Sequence, residues 1–341
     1  MKRGFGSDNH SGVHPRILEA LAKANAEHAP SYGTDEWTEK AEKLFREHFG
    51  PQAEVFFVFN GTAANVLSLK AASKSFQSCY CSDLAHINVD ECGAPEYLAG
   101  LKLIPLPTVN GKLRLEDLKR AHIRRGDQHY SQAQIVSLTQ PTEFGTLYSM
   151  EELKEIISWA KSEKLFVHID GARLSNAAVS LKKSFKEFTT DLGVDVISFG
   201  GTKNGLMMGE AVVFLNPQLA KDVKFYRKQL AQLPSKTRFI SAQFLEYFNG
   251  GLWKEIAEHS CAMAEKLYQG AKDIPGVHIT QKREANAIFA KIPQAWVKPL
   301  REKYFFYVWD EHTFECRWMT SWDTQPSDIE GFVQSLQELS R

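Results

Sequence analysis

The 341-residue chain is short of several things, and each shortage removes a class of protein. Only five cysteines occur (Cys79, Cys81, Cys92, Cys261 and Cys316), odd in number and irregular in spacing, which excludes a disulfide framework. Cys79 and Cys81 have no CxxC or nearby histidine cluster to complete a zinc set, so no metal is expected and both read as small core residues. No apolar run approaches the roughly 20 residues that a spanning helix needs, VFFVF at 55–59 being among the longest. The opening MKRGFGSDNHSG lacks the apolar centre of a secretory signal, which points to a reduced, cytoplasmic protein without a membrane partner. Neither sign of charge dominates. Lys plus Arg number 41 and so do Asp plus Glu, leaving no overall field to attract nucleic acid.

What is present is an ordinary globular composition, 43% hydrophobic with 22 phenylalanines, on a chain long enough for a large core. Residues 15–28 and 36–49 carry helical apolar spacing. EVFFVF (54–59) is a continuous apolar run of β type, followed through NGTAAN by another helical stretch. CYCS (79–82), LKLIPL (101–106), QIVSLT (134–139), LFVHID (165–170), DVISFG (195–200) and EAVVFL (210–215) repeat the theme, most of them separated by amphipathic segments. Such alternation predicts an α/β fold with a mostly parallel sheet covered on both faces, whose ligands bind beyond the carboxyl ends of the strands. From about 217 the pattern shifts to long helices, PQLAKDVKFYRKQLAQL and GGLWKEIAEHSCAMAEKLYQGAKD. The strand-like NAIFAKI, YFFYVW and FECRWMT follow, then a last helix from Ser327, which together predict a small α+β unit.

Three polar features fall at strand ends. In SFGGTKNG (198–205), Lys203 occupies a glycine-flanked loop directly after a strand, where a crowded amine has its pKa lowered enough to attack a carbonyl. The glycines there suit close approach to a bulky ligand. In HIDGARLSNA (168–177), Asp170 ends a strand on the same face as His168, placed to stay ionised against a pyridinium nitrogen, and Arg173 follows as its balance or as a carboxylate binder. In FNGTAAN (59–65), Gly61 and Thr62 open a helix whose free N–H groups suit a single phosphate, since neither the dinucleotide nor the P-loop motif is matched. A phosphate turn, a ring-nitrogen carboxylate and a Schiff-base lysine, in that order, indicate pyridoxal 5'-phosphate.

With SDNHSG (7–12), YGTDEWT (32–38), AHINVDECGAPE (85–96) and RWMTSWDT (317–324), these segments span nearly the whole chain. The sequence resembles the threonine aldolases of the β-eliminating lyase group of fold-type-I pyridoxal-phosphate enzymes, and among them the low-specificity L-threonine aldolases. The resemblance implies a mostly parallel seven-stranded sheet between helices with a smaller C-terminal α+β domain. The boundaries expected are an N-terminal active-site segment 1–14, a large cofactor domain 15–249 and a small domain 250–341. Lys203 would bond the cofactor, Asp170 would meet its ring nitrogen, Gly61 and Thr62 its phosphate, and His86 would stack on the ring and face the substrate hydroxyl. Arg173 and Arg317 would bind the carboxylate of an amino acid substrate, with Asp8 and Asn9 nearby. Arg317 already reads this way locally, because a guanidinium among the apolar residues of FECRWMT needs an anion. The implied reaction is cleavage of L-threonine, L-allo-threonine or similar β-hydroxy-α-amino acids to glycine and an aldehyde. The alternative is a β-eliminating lyase or aminotransferase acting on another amino acid.

One departure stands out. Many threonine aldolases carry a histidine in the loop after the strand corresponding to QIVSLT, whereas TQPTEFGT places Thr142 and Glu143 there. His129, in GDQHYSQ, is the nearest substitute from another loop. The resemblance also implies a homodimer or homotetramer with shared active sites, YGTD (32–35) and SKTR (235–238) being the segments expected to reach a neighbour.

Overall fold

The computed structural model describes residues 3–341. Seven strands, β1 (Glu54–Val58), β2 (Gln77–Ser82), β3 (Lys102–Leu106), β4 (Gln132–Thr139), β5 (Phe166–Gly171), β6 (Val196–Phe199) and β7 (Glu210–Phe214), form one sheet in the order β1-β7-β6-β5-β4-β2-β3. Only β7 is reversed, antiparallel to both β1 and β6. The other contacts are parallel, as the apolar runs predict.

Alternation along the strands sorts the side chains onto two faces. Ala211, Val213, Ile197 and Phe199 join one core, where Phe45 and Phe244 pack edge-on from the helices Glu36–Phe49 and Arg238–Phe248. Val212, Phe214 and Val196 face the other way, against the helix Gly61–Ala72. His168, Asp170 and Ser198 share this second face. In register Asp170 lies between Thr139 and Ser198, so the one charged side chain near the end of β5 opens toward the helix that begins at Gly61.

A second sheet is antiparallel, in the order β10-β11-β9-β8, with β8 (His278–Ile279), β9 (Ala287–Lys291), β10 (Tyr307–Asp310) and β11 (Glu315–Met319). Its core of Leu267, Ile288, Phe306, Trp318 and Phe332 also takes in Phe5 from the N-terminal segment. The Phe5 N–H donates to the Phe305 carbonyl at 2.7 Å, and its own carbonyl accepts from Met319 at 2.8 Å. Farther along, the His14 N–H donates to the Gly205 carbonyl at 2.9 Å, so the segment runs from the small sheet to the loop after β6.

The structure departs from the sequence reading in places. The long helix expected from 217 is two, Pro217–Ala220 and Val223–Gln229. Asp222, at φ −106° and ψ 0°, leaves helical geometry, and its carbonyl accepts from Phe225 and Tyr226 to start the second. The helix Arg238–Phe248 was not anticipated because it is buried nearly all round, which erases amphipathic spacing. Gln294–Lys303 is helical despite Pro299 in its interior. No helix among the described residues is long and apolar enough to cross a membrane.

Candidate active site

Beyond the carboxyl ends of β4, β5 and β6 lies a cavity of about 460 Å³. That volume is within the range of ligand sites. Lys203, Asp170, His86, Arg317, Gly61 and Thr62, drawn from distant parts of the sequence, all line it.

Lys203 sits in the short 3₁₀ turn Thr202–Asn204. Burial lowers its ammonium from the usual range, the Arg173 cation lowers it further, and Asp8, Asp170 and Glu210 oppose them. The glycines before it serve the protein rather than a ligand. A β-carbon at Gly200 would lie 2.1 Å from the Ala172 carbonyl oxygen, and one at Gly201 would strike Leu206 and the Gly209 carbonyl. Close packing of this loop on the end of β5 is what requires glycine.

Asp170 accepts from the Ala172 N–H at 3.1 Å and from Asn65 Nδ2 at 2.9 Å. Asn65 also donates to Glu91 Oε1 at 2.8 Å, and that oxygen lies 2.7 Å from His86 Nδ1. A chain of polar contacts therefore links the strand-end carboxylate to the histidine. The hydrogen bond to Glu91 holds the His86 imidazole above its ordinary pKa, against the opposing effect of burial. His168 stays beneath the site between Ser137 and Ser198, 2.9 Å from each hydroxyl, and burial pushes it down to about 4. It is a neutral core histidine.

At the start of the helix Gly61–Ala72, Asn60 caps the chain by accepting from the Ala63 N–H at 2.9 Å. The Gly61 and Thr62 N–H groups precede the first intrahelical bond and are left for a ligand. Nothing lies within 4 Å of where a Gly61 β-carbon would stand. An anion has room there.

Arg317, on β11, donates to the Gly6 carbonyl at 3.1 Å and stands between the rings of Tyr307 and Trp309, 5.6 and 5.1 Å from their centroids. Its Nε is buried with no hydrogen-bond partner. Burial, with Arg173 adding repulsion, pushes the guanidinium down to about 10. A half-buried, under-bonded cation of this kind calls for an anionic ligand.

The expectation for Asp8 is revised. Instead of standing free for substrate, it grips Arg173 through both oxygens, at 2.5 Å to Nε and 2.8 Å to Nη2, and accepts from Asn286 at 3.2 Å. Burial works to raise its pKa, but the charge and hydrogen bonds of Arg173 win and it falls. Ser7 and Asn9 flank it and do line the cavity. Bringing an N-terminal aspartate onto an arginine 165 positions away is a tertiary event, and no local signal announces it.

His129 is not part of the site: it lies exposed in a surface loop, its N–H donating to Asp127. Thr142 and Glu143 both line the cavity. Asn65, Glu91 and Glu143 are the residues that sequence reasoning passed over. The first two lie within FNGTAAN and AHINVDECGAPE, and the third stands in the loop where a histidine is missing. YGTD and SKTR, singled out separately, meet each other, the Tyr32 N–H donating to the Ser235 carbonyl at 2.9 Å.

Fold and cavity together define a class: an α/β protein holding a half-buried lysine and a strand-end carboxylate in one crevice beside a helix N-terminus. The comparisons with known proteins make it specific. The chain belongs to the Beta-eliminating lyase family, whose model matches residues 4–295. It is 41% identical to the low specificity L-threonine aldolase of Pseudomonas aeruginosa, over 99% of this chain and 96% of that protein. It is also 41% identical to the enzyme of the same name from a Pseudomonas species, covering 95% of this chain and 94% of the other. The solved structure of Leishmania major threonine aldolase superposes with a TM-score of 0.94 at 29% identity, covering 99% of this chain and 100% of that one.

Proposed function

We propose that the protein is a pyridoxal-phosphate-dependent lyase that cleaves L-threonine, L-allo-threonine and similar L-β-hydroxy-α-amino acids to glycine and an aldehyde. The observation that carries this reading is the convergence of Lys203, Asp170, the Gly61 helix start, His86 and Arg317 on one cavity. The donor set fits the cofactor. It includes a lysine amine of lowered pKa for its carbonyl, a carboxylate for its ring nitrogen, two N–H groups with open space before them for its phosphate, and an imidazole for its ring. When bound, pyridoxal phosphate supplies an electron sink that weakens a bond at the substrate Cα.

The chain's own residues decide which bond and which molecule. Arg317, with an unpartnered Nε, binds the substrate carboxylate and so fixes the rotation about the bond to Cα. Arg173, paired with Asp8 through Nε and Nη2, lines the cavity with Lys203 and is the second candidate for that carboxylate. Asn65 and Glu91 hold Asp170 and His86 in relation to one another. We assign the working form to a homodimer or homotetramer. Tyr32, Phe59, Met207 and Met208 remain 50%, 39%, 43% and 44% exposed, and Phe59 and Met208 belong to the cavity wall. The odd number and irregular spacing of the five cysteines support a cytoplasmic setting.

The test is to supply the purified, cofactor-loaded protein with L-threonine, L-allo-threonine, their D-enantiomers and phenylserine, and to measure glycine and aldehyde. Glycine and aldehyde in equal amounts from the L-substrates are expected, and none from any of them refutes the reading. Borohydride reduction and peptide mapping should label Lys203. A label on another lysine would overturn the site.

A further inference from the structure

Glu143 occupies the loop after β4 and lines the cavity with Lys203, His86 and Arg317. One half of its carboxylate is fixed, Oε1 accepting from the His86 backbone N–H at 3.1 Å and from Thr139 Oγ1 at 2.9 Å. The other half is not: Oε2 is buried and has no hydrogen-bond partner. A carboxylate retained only for structure would be expected to satisfy both oxygens, so an oriented, orphaned one beside a cavity calls for a ligand donor. The neighbouring imidazole is less suited to accept a proton, because its Nδ1 is tied to Glu91 and that bond favours the protonated ring.

We propose that Glu143 Oε2 is the base that takes the β-hydroxyl proton of the substrate, with His86 beside it orienting the hydroxyl. The proposal rests on the aldol-cleavage reading above. The hydroxyl O–H bond breaks toward Oε2, the Cα–Cβ bond breaks as the Cβ–O bond becomes the aldehyde carbonyl, and the electron pair is left at Cα. A proton returned to Cα completes glycine, so neither water nor oxidant is consumed.

Burial lifts Glu143 to about 7. The groups that face it are His86 from the segment after β2, Asp170 on β5, Arg173 beyond it, Cys81 on β2 and Tyr148 past its own loop. Asp170 supports the upward shift, and the Arg173 cation opposes it. A base must be ionised to act, so kcat for threonine cleavage should rise with pH through about 7.

The experiment compares wild-type holoenzyme with Glu143→Gln and Glu143→Asp. Three quantities are read: the cofactor absorbance, exchange of the glycine α-proton in deuterated water by NMR, and kcat for L-threonine cleavage against pH. Glycine exchange needs cofactor and lysine but has no β-hydroxyl. Glu143→Gln should keep absorbance and exchange while its cleavage falls by about 10²–10⁴, the usual worth of a general base, and loses the rise near neutrality. Glu143→Asp should recover part of the rate together with the rise. Cleavage by Glu143→Gln near the wild-type rate with the rise intact overturns the proposal. So does an equal loss of exchange and cleavage, which would make Glu143 structural. A wild-type enzyme that exchanges glycine yet cleaves no β-hydroxy amino acid refutes the aldol reading itself.

Discussion

Arg317 shows how much one side chain can carry. Its guanidinium is flanked by two aromatic rings, donates to one backbone carbonyl and keeps a buried Nε free, so the protein has desolvated a cation without pairing it. Arg317→Ala should therefore raise KM for amino acids while leaving cofactor absorbance in place. Loss of a charge-assisted contact in a desolvated pocket is worth about 2–4 kcal/mol, on the order of 30- to 1,000-fold. An unchanged KM in steady-state kinetics would make the residue structural. Its need for an anion was legible in the sequence, since arginine within FECRWMT is anomalous against its neighbours. Glu143 and Glu91 were not legible. A glutamate in a loop looks like any surface glutamate until packing removes its water.

At the scale of elements, the loop that carries Lys203 depends on how closely two chain segments approach. Gly200 lies where a β-carbon would come within 2.1 Å of a backbone oxygen, an atom that cannot swing aside as a side chain would. Gly200→Ala should lower stability by at least about 1–3 kcal/mol, the cost of overpacking a tight site. It should also weaken cofactor binding by displacing Lys203. Gly12→Ala, with nothing within 4 Å of its β-carbon, should stay within about 0.5 kcal/mol of wild type. Denaturant titration of both variants checks the contrast, and equal midpoints would remove the packing argument. The strands were readable because buried parallel strands are continuous apolar runs. The helix Arg238–Phe248 was not, because a helix buried on all sides has no polar face to reveal its period.

At the scale of the molecule, the N-terminal segment ties the two sheets. Phe5 is bonded to the small sheet, Asp8 to Arg173 after β5, and His14 to the loop after β6. Tyr32 and Ser235 form a joint surface feature, with Lys228 over the Tyr32 ring. If this feature completes a neighbour's site, Lys203→Ala and Tyr32→Ala chains, each inactive alone, should recover activity when unfolded together and refolded as mixed oligomers. No recovery in heterodimers of verified composition would exclude Tyr32 from a shared site.

The strands of the large sheet, the lysine loop, the carboxylate at the end of β5 and the helix start at Gly61 were set by local chemistry: apolar periodicity, turn residues and the direction in which a strand presents its side chains. Long-range charge pairing was not. Whether Arg173 meets Asp8 or a substrate, whether His129 or Glu143 stands by His86, and whether a carboxylate is solvated or orphaned depend on which segments are packed together. Burial and Coulomb interaction act through space, and distance along the chain gives them no measure.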